Sequence, residues 1–244
     1  MLKLNCDLGE LPSALSNDTL IMPLIDQANI ACGSHASSPL LMLNTVKLAV
    51  KHKVTIGAHP SYPDRENFGR VSMQLSDDDL IATIHYQIGA LQAICQSQNT
   101  SICYVKPHGA LYNDMMADLK IFELICRALS MLDNTLALML QALPDPKPYQ
   151  DIADKYDITL WFEAFADRGY QDNGLLLPRS EEGAVLDDAE KVLTQITGLI
   201  KQQQLTTVNQ QPLKLHVDTL CVHGDNTEAL ALITALRALI NELN

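Results

Sequence analysis

Basic residues are scarce in this chain. Seventeen lysines and arginines face twenty-nine acids, a formal net charge of −12, and the cations are scattered rather than run together. Non-specific binding to nucleic acid or to an anionic membrane needs basic patches, so neither is expected as a partner. The acidic balance itself says little beyond solubility. The six cysteines (Cys6, Cys32, Cys95, Cys103, Cys126 and Cys221) form no C-x-x-C pair and no zinc-ribbon spacing. Most lie in apolar strand or helix patterns, where a free thiol behaves as a small hydrophobe. No apolar run approaches the ~20 residues needed to span a bilayer. The stretch Met1 to Asp7 carries no signal-peptide apolar region. Together these absences point to a reducing, cytoplasmic setting. Other patterns are missing too: G-x-G-x-x-G and G-x-x-x-x-G-K-[ST] nucleotide loops, H-E-x-x-H and H-x-x-E-H metal spacings, the G-x-S-x-G elbow, and any internal repeat.

What is present is a regular alternation. Apolar residues make up 47% of the 244 residues, and a chain of this length buries roughly 70–75% of its unfolded surface. Strand-like runs occur at Leu2–Cys6, Ala28–Cys32, Val54–Ala58, Ile102–Val105, Thr135–Leu140, Thr159–Phe165 and Thr219–Val222. Segments of helical period follow them. Ser38-Pro39 and Ser76 with three aspartates after it are helix starts. Further helices are expected over about Asp114–Met131, Tyr149–Tyr156 and Asp187–Gln203, and a closing one through Leu230, Ile233, Leu236 and Ile240. Thr206–Leu215 has the look of a hairpin insertion, and two long polar loops span Ser61–Met73 and Gln171–Gly183. Seven strand–helix units without a linker imply a single α/β domain over residues 1–244: a (β/α) barrel, incomplete or irregular, with an open doubly wound sheet as the alternative.

The polar motifs follow strands rather than precede them. In parallel α/β folds ligands bind at the carboxyl ends of strands. Asp7, Glu10, Asn29, His35, His59, Lys106, His108, Glu163, Asp167, Arg168, His223 and Asp225 would therefore share one rim. The densest stretch is Lys106-Pro107-His108-Gly109, where proline ends a strand and places a cation beside an imidazole. An Asp with two His on such a rim could hold a divalent cation and activate water. The plainer readings are loop hydrogen bonds for His35 and His59, a structural ion pair for Asp167–Arg168, and a helix cap for Asp225. His52, His85 and His216 fall in or beside helices or the insertion and are expected to be structural.

Several blocks then match a known pattern. Asn5-Cys6-Asp7-Leu8-Gly9-Glu10, Ala28–Gly33, Gly57-Ala58-His59-Pro60, Phe68-Gly69-Arg70, Tyr86–Leu91, Val105–Asn113, Glu163–Arg168 and Cys221–Asp225 together resemble the LamB/YcsF lactam-utilisation family, in order and over nearly the whole chain. The chain departs from that pattern at Ser34, Ser37 and Ser38, where the family has Phe, Gly and Asp; the change bears on substrate preference. The resemblance implies an irregular seven-stranded β/α barrel of the glycoside hydrolase/deacetylase-like group. It implies ATP-dependent opening of the 5-oxoproline lactam to L-glutamate, with two partner subunits, B and C. With no nucleotide loop, ATP (with Mg) is expected on, or shared with, the partners, and a rim metal stays open. On this reading His59 or His108 is the general base, Asp7 or Glu163 orients a histidine or protonates the leaving nitrogen, and Lys106 and Arg168 neutralise phosphate or carboxylate. Glu10, Asn29, His35, Arg70, Asn113, Asp167, Arg168, Arg179, His223 and Asp225 are the expected substrate contacts. The competing readings are a metal-dependent hydrolase of an amide or N-acetyl sugar, and a non-catalytic subunit that binds 5-oxoproline.

Overall fold

The structure, a computed structural model, describes residues 2–11, 16–178, 181–186, 188–222 and 227–243. Among them, seven parallel strands close a barrel: β1 (Lys3–Leu8), β2 (Gln27–Ala31), β3 (Thr55–His59), β4 (Tyr104–Val105), β5 (Ala137–Gln141), β6 (Leu160–Phe165) and, after a two-stranded hairpin, β9 (Thr219–Val222), which pairs with both β6 and β1. The hairpin, β7 (Gln204–Thr206) with β8 (Pro212–Lys214), is antiparallel and lies outside the barrel. The helices are α1 (Asp18–Ile21), α2 (Pro39–His52), α3 (Asp77–Ser97), α4 (Gly109–Ala117), α5 (Leu119–Leu132), α6 (Lys147–Lys155), α7 (Ala189–Gln202) and α8 (Thr227–Leu243). A 3₁₀ turn, Met22–Leu24, leads into β2. No helix among the described residues is long and apolar enough to cross a membrane.

The barrel is irregular as expected, and the departures have local causes. β4 has only two residues, because Pro107 cannot donate to the ladder. The helix expected over Asp114–Met131 is two helices. Asp118 breaks it with an extended backbone (φ −131°, ψ 109°), and its carboxylate caps the second by accepting from Lys120 N at 2.8 Å. The short α1 and the 3₁₀ turn carry no apolar periodicity long enough to announce them. The hairpin falls where expected, and loop 60–76 carries no regular element.

Alternate strand residues face opposite sides. Leu4, Cys6, Ile30, Leu138, Leu140, Leu220 and Val222 pack outward against helix residues such as Val46, Ile84, Ile125, Ile196 and Ile233 in one buried core. The inward set is different. Tyr104, Ala137 and Met139 form a separate small cluster with Trp161, and Lys3 Nζ sits 5.2 Å over the Trp161 ring. Toward the carboxyl ends the interior becomes polar, with Asn5, Asn29, Lys106, Glu163 and Thr219 all buried. Packed barrels usually fill this space with branched aliphatics. Here it supports a site.

One loop residue is out of place. Ser37 has φ +80°, in the left-handed region, and its buried hydroxyl has no hydrogen-bond partner. Arg65 fixes this turn by donating to Gly33 O at 3.0 Å and Ser37 O at 2.8 Å. Ser38, next in line, caps α2 through Leu41 N. A non-glycine residue held here costs of order 1–3 kcal/mol. Ser37→Gly, which restores the family's residue, should raise the urea midpoint by an amount equivalent to about 1 kcal/mol. An unchanged or lower midpoint would refute the strain.

Candidate active site

Each rim side chain has a local reason to be where it is. Asp7 lies near the end of β1, two positions on from Asn5 and on the same face. His59 ends β3, and Lys106 follows β4. His108 sits at the N-cap position of α4, with its N–H donating to Pro60 O at 2.8 Å. Gly109 follows at φ +58°, where a Cβ would collide with the Gly69 carbonyl. That carbonyl accepts from Ala110 N at 2.9 Å, so loop 60–76 is pressed against the start of α4.

At the floor, Lys106 Nζ is surrounded. Glu163 Oε2 lies at 3.0 Å, Cys221 Sγ at 3.2 Å, and Asn5 Oδ1 and Asp7 Oδ1 each at 3.3 Å. Burial opposes the charge, but Asp7, Cys221 and Glu163 outweigh it, so the ammonium is held protonated with its pKa well above the usual lysine value. Asn5 donates to Glu163 Oε2 (3.3 Å) and Thr219 Oγ1 (3.0 Å). Asn29 donates to Asp7 Oδ1 (2.7 Å) and Asn5 Oδ1 (2.8 Å), and Tyr104 OH donates to Asn29 Oδ1 (2.6 Å).

Above this floor lie three imidazoles. His59 Nδ1 is 2.7 Å from Lys106 O, and His108 Nε2 is 2.9 Å from Phe68 O. Carbonyl oxygens only accept, so both nitrogens carry hydrogen. The remaining nitrogens, His59 Nε2 and His108 Nδ1, face one another at 2.9 Å. In neutral rings both would be bare lone pairs. A positive charge must lie between them, either an added proton or a cation. In the metal-free chain that proton falls to His59. Burial lowers its pKa, but the neighbouring Asp7 (Oδ2 at 3.4 Å) raises it more, and the net shift is upward from the ordinary histidine value. Burial and the charge of His59 then push His108 down to about 3. His35, stacked on His108 with ring centroids 3.8 Å apart, is also pushed to about 3 by burial and His59.

The same atoms form a ligand set. Glu10, His35, His59 and His108 each present a donor atom, and these lie within 4.8 Å of one another. Glu10 Oε1 is 3.1 Å from His35 Nε2 and 3.5 Å from His108 Nδ1. Ligands about 2.1 Å from a shared ion sit roughly 3.0–3.4 Å apart, so a modest adjustment would bring these groups onto one ion. The chemistry also fits: the facing nitrogens His59 Nε2 and His108 Nδ1 need a positive charge between them. The carboxylates of Asp7, Glu10 and Glu163 outnumber the one ammonium among them, and a divalent cation would balance the difference. The sequence suggests Asp with two His. Geometry instead selects Glu10 with three His, and Asp7 borders them.

A cavity of about 550 Å³ opens over this arrangement. Asp7, Glu10, His59, Lys106 and His108 line one end, and Met116, Leu175, Leu176, Leu177 and Pro178 the other. Arg70 and Asn113, both exposed, stand in its wall. Arg168 also lines it, but Nε donates to Ala184 O (2.9 Å) and Nη2 to Leu177 O (2.6 Å), so it braces the second long loop. Asp167, Asn29, His35 and Glu163 do not line the cavity; the last three are buried beneath or behind it. Arg179, His223 and Asp225 lie outside the described residues. His85 Nε2 contacts Ala128 O at 2.8 Å, and His216 lies 3.7 Å from Asp218 on the surface, both away from the rim. Sequence reasoning misses Asn5, Tyr104, Thr219 and Cys221 as site residues. The available signal is period two: Asn5 sits two positions before Asp7, Tyr104 two before Lys106, and Cys221 and Thr219 two and four before His223 in the sequence.

Comparison with known proteins agrees with this architecture. The sequence profile of the LamB/YcsF family matches residues 2–244. The A subunit of 5-oxoprolinase from Vibrio cholerae serotype O1 is 47% identical over 99% of this chain and 98% of its own length. An A subunit of 5-oxoprolinase from Pseudomonas aeruginosa, the one numbered 3, is 46% identical, covering 98% and 96%. The crystal structure of the lactam utilization protein from Thermus thermophilus superposes with a TM-score of 0.90 at 34% identity, covering 99% and 96%. On profile, sequence and fold alike, the chain belongs to the LamB/YcsF family.

Proposed function

We propose that this chain is the A subunit of an ATP-hydrolysing 5-oxoprolinase, which opens the 5-oxoproline (pyroglutamate) lactam to L-glutamate in the cytoplasm together with subunits B and C. The observation that carries the reading is the Asp7–His59–His108 cluster at the floor of a cavity in a chain whose near relatives bear that name. A lactam amide resists water. Phosphorylation of its oxygen by ATP makes the ring carbon electrophilic. Water adds there, the C–N bond breaks as the ring nitrogen takes up a proton, and a second water releases phosphate from the resulting γ-glutamyl phosphate to leave L-glutamate. The water that attacks must lose a proton. Asp7 suits that role: its Oδ1 is held by Asn29 and Lys106, while Oδ2 is turned toward His59. Arg70 and Asn113 stand in the cavity wall, and their chemistry suits the substrate carboxylate. ATP, with its Mg, is assigned to the partners, since the chain has no nucleotide loop.

Glu10, His35, His59 and His108 are proposed to hold a divalent ion. Three imidazoles favour zinc or a related transition metal over magnesium. When bound, such an ion would supply Lewis-acid activation of water or carbonyl. The same cluster supports a second reading, metal-dependent hydrolysis of an amide or N-acetyl sugar without ATP.

The decisive assay follows glutamate and phosphate release from 5-oxoproline and ATP, with and without subunits B and C. Turnover is expected only with all three subunits and ATP; turnover by this chain alone without ATP would favour the second reading. Asp7→Asn should lower kcat by about 10²–10⁴-fold, and wild-type turnover would remove it as the base. Stoichiometric ATP binding by the isolated chain would contradict the assignment to partners.

Metal analysis of the purified chain should find about one divalent ion, reduced at least tenfold in occupancy by His108→Ala. Equal metal content in the variant would refute the site. His59 must release its proton to become a ligand, and its pKa is raised. Apparent metal affinity should therefore rise about tenfold per pH unit below that pKa and level off above it. A pH-independent affinity from pH 6 to 8 would contradict this.

A further inference from the structure

The geometry points to Tyr104 as a positioning residue for Asp7, acting through the Asn29 side chain from a place where it touches neither substrate nor cavity. The inference rests on the reading of Asp7 as the general base.

Three observations carry it. First, the hydrogen bonds run in a fixed direction. The Asp7 carboxylate only accepts, so the NH₂ of Asn29 must face it; the other end, Oδ1, then accepts from the Tyr104 phenol at 2.6 Å. The NH₂ end is then directed to Asp7 Oδ1 (2.7 Å) and Asn5 Oδ1 (2.8 Å), using both of its hydrogens. With the amide reversed, its oxygen would face the Asp7 carboxylate, acceptor against acceptor. The phenol is the donor that holds the Oδ1 end and so anchors the amide in that orientation. Second, the result fixes the roles of the two Asp7 oxygens. Oδ1 takes Asn29 and Lys106, and Oδ2 is presented to His59. Third, the barrel is shaped around the ring. Gly57 on β3 pairs in register with Tyr104, and any Cβ there would collide with the tyrosine ring. The ring packs with Ala137, Met139 and Trp161 and is fully buried. A hydroxyl placed in the barrel interior by such packing is worth its desolvation only if it makes a strong bond, and the bond it makes is to Asn29.

Tyr104→Phe keeps the ring and removes only the hydroxyl. In the assembly of all three subunits, kcat should fall about 10- to 100-fold while KM for 5-oxoproline stays within about twofold. Adding Tyr104→Phe to Asn29→Ala should cost nothing further, because the phenol acts through that amide. A merely structural tyrosine would give additive losses. Independently of activity, the Asn29 side-chain amide protons, followed by ¹⁵N NMR, should exchange with solvent faster in Tyr104→Phe by at least tenfold. Wild-type kcat in Tyr104→Phe, alongside a disabled Asp7→Asn, would overturn this inference alone. Wild-type turnover in Asp7→Asn would overturn both it and the reading it rests on. Should the wild-type assembly not act on 5-oxoproline, that reading fails, and the amide exchange decides whether Tyr104 orders Asn29; unchanged exchange would overturn that too.

Discussion

The buried ammonium of Lys106 is the contact on which the site depends. It lies among Asp7, Asn5, Glu163 and Cys221, groups carried by β1, β6 and β9, while its own backbone follows β4. Two carboxylates in a barrel interior would repel one another and be poorly solvated. A single cation between them makes both tolerable. Removing one partner of such a buried arrangement typically costs about 3–5 kcal/mol, because a charge is left uncompensated. Lys106 therefore holds four strands to a common point, with its ammonium set against the Asp7 carboxylate there. Its four acceptors exceed its three protons, so it is better placed to organise carboxylates than to take a new anion from the substrate. This sharpens the sequence expectation for it.

The histidine layer obeys a similar constraint. Lys106 O fixes the tautomer of His59, and Phe68 O fixes that of His108. Once those two carbonyls have each taken a hydrogen, the facing nitrogens need a positive charge between them. The same backbone geometry that presents the rings thus makes the site cation-seeking. Loop 60–76 takes part directly, since Phe68 belongs to it and the neighbouring Gly69 carbonyl receives Ala110 N.

Much of this is legible in the sequence. Alternating strand and helix patterns point to the barrel, and polar residues just past strands point to the rim: Asp7, Glu10, His35, His59, Lys106 and His108 do converge. Three kinds of information are not legible. Which of two carboxylates joins the imidazoles depends on loop conformation, and Glu10 rather than Asp7 is the one within the set. Asn29 and Glu163 follow the strand-end rule yet point into the barrel, where period two alone cannot tell a supporting layer from a contacting one. Arg168 looks like an anion receptor in sequence; it lines the cavity, and the carbonyls of Leu177 and Ala184 take two of its N–H groups, so it also braces a loop. Tyr104 is invisible because a tyrosine in a strand is ordinary. Only Gly57 opposite it, and Asn29 above it, give it meaning.

Charge also constrains how the proposed reaction is divided between the components. A triphosphate needs several cations, and among the described residues the supply near the reacting end of the cavity is small. Lys106 is committed to Asp7 and Glu163, and Arg168 braces its loop. Arg70 stands in the wall with its guanidinium 5.1 Å from the Phe68 ring. Asp7 and Glu10 face the same space and would repel phosphate. An ion held by Glu10 and the three histidines would cancel that repulsion without creating a surplus of positive charge. A small anionic lactam, with one carboxylate to satisfy, suits such a site far better than a free nucleotide does. On the proposed reading, the phosphate-binding charges must then come from the partner subunits, and this chain contributes the rigid, pre-oriented base.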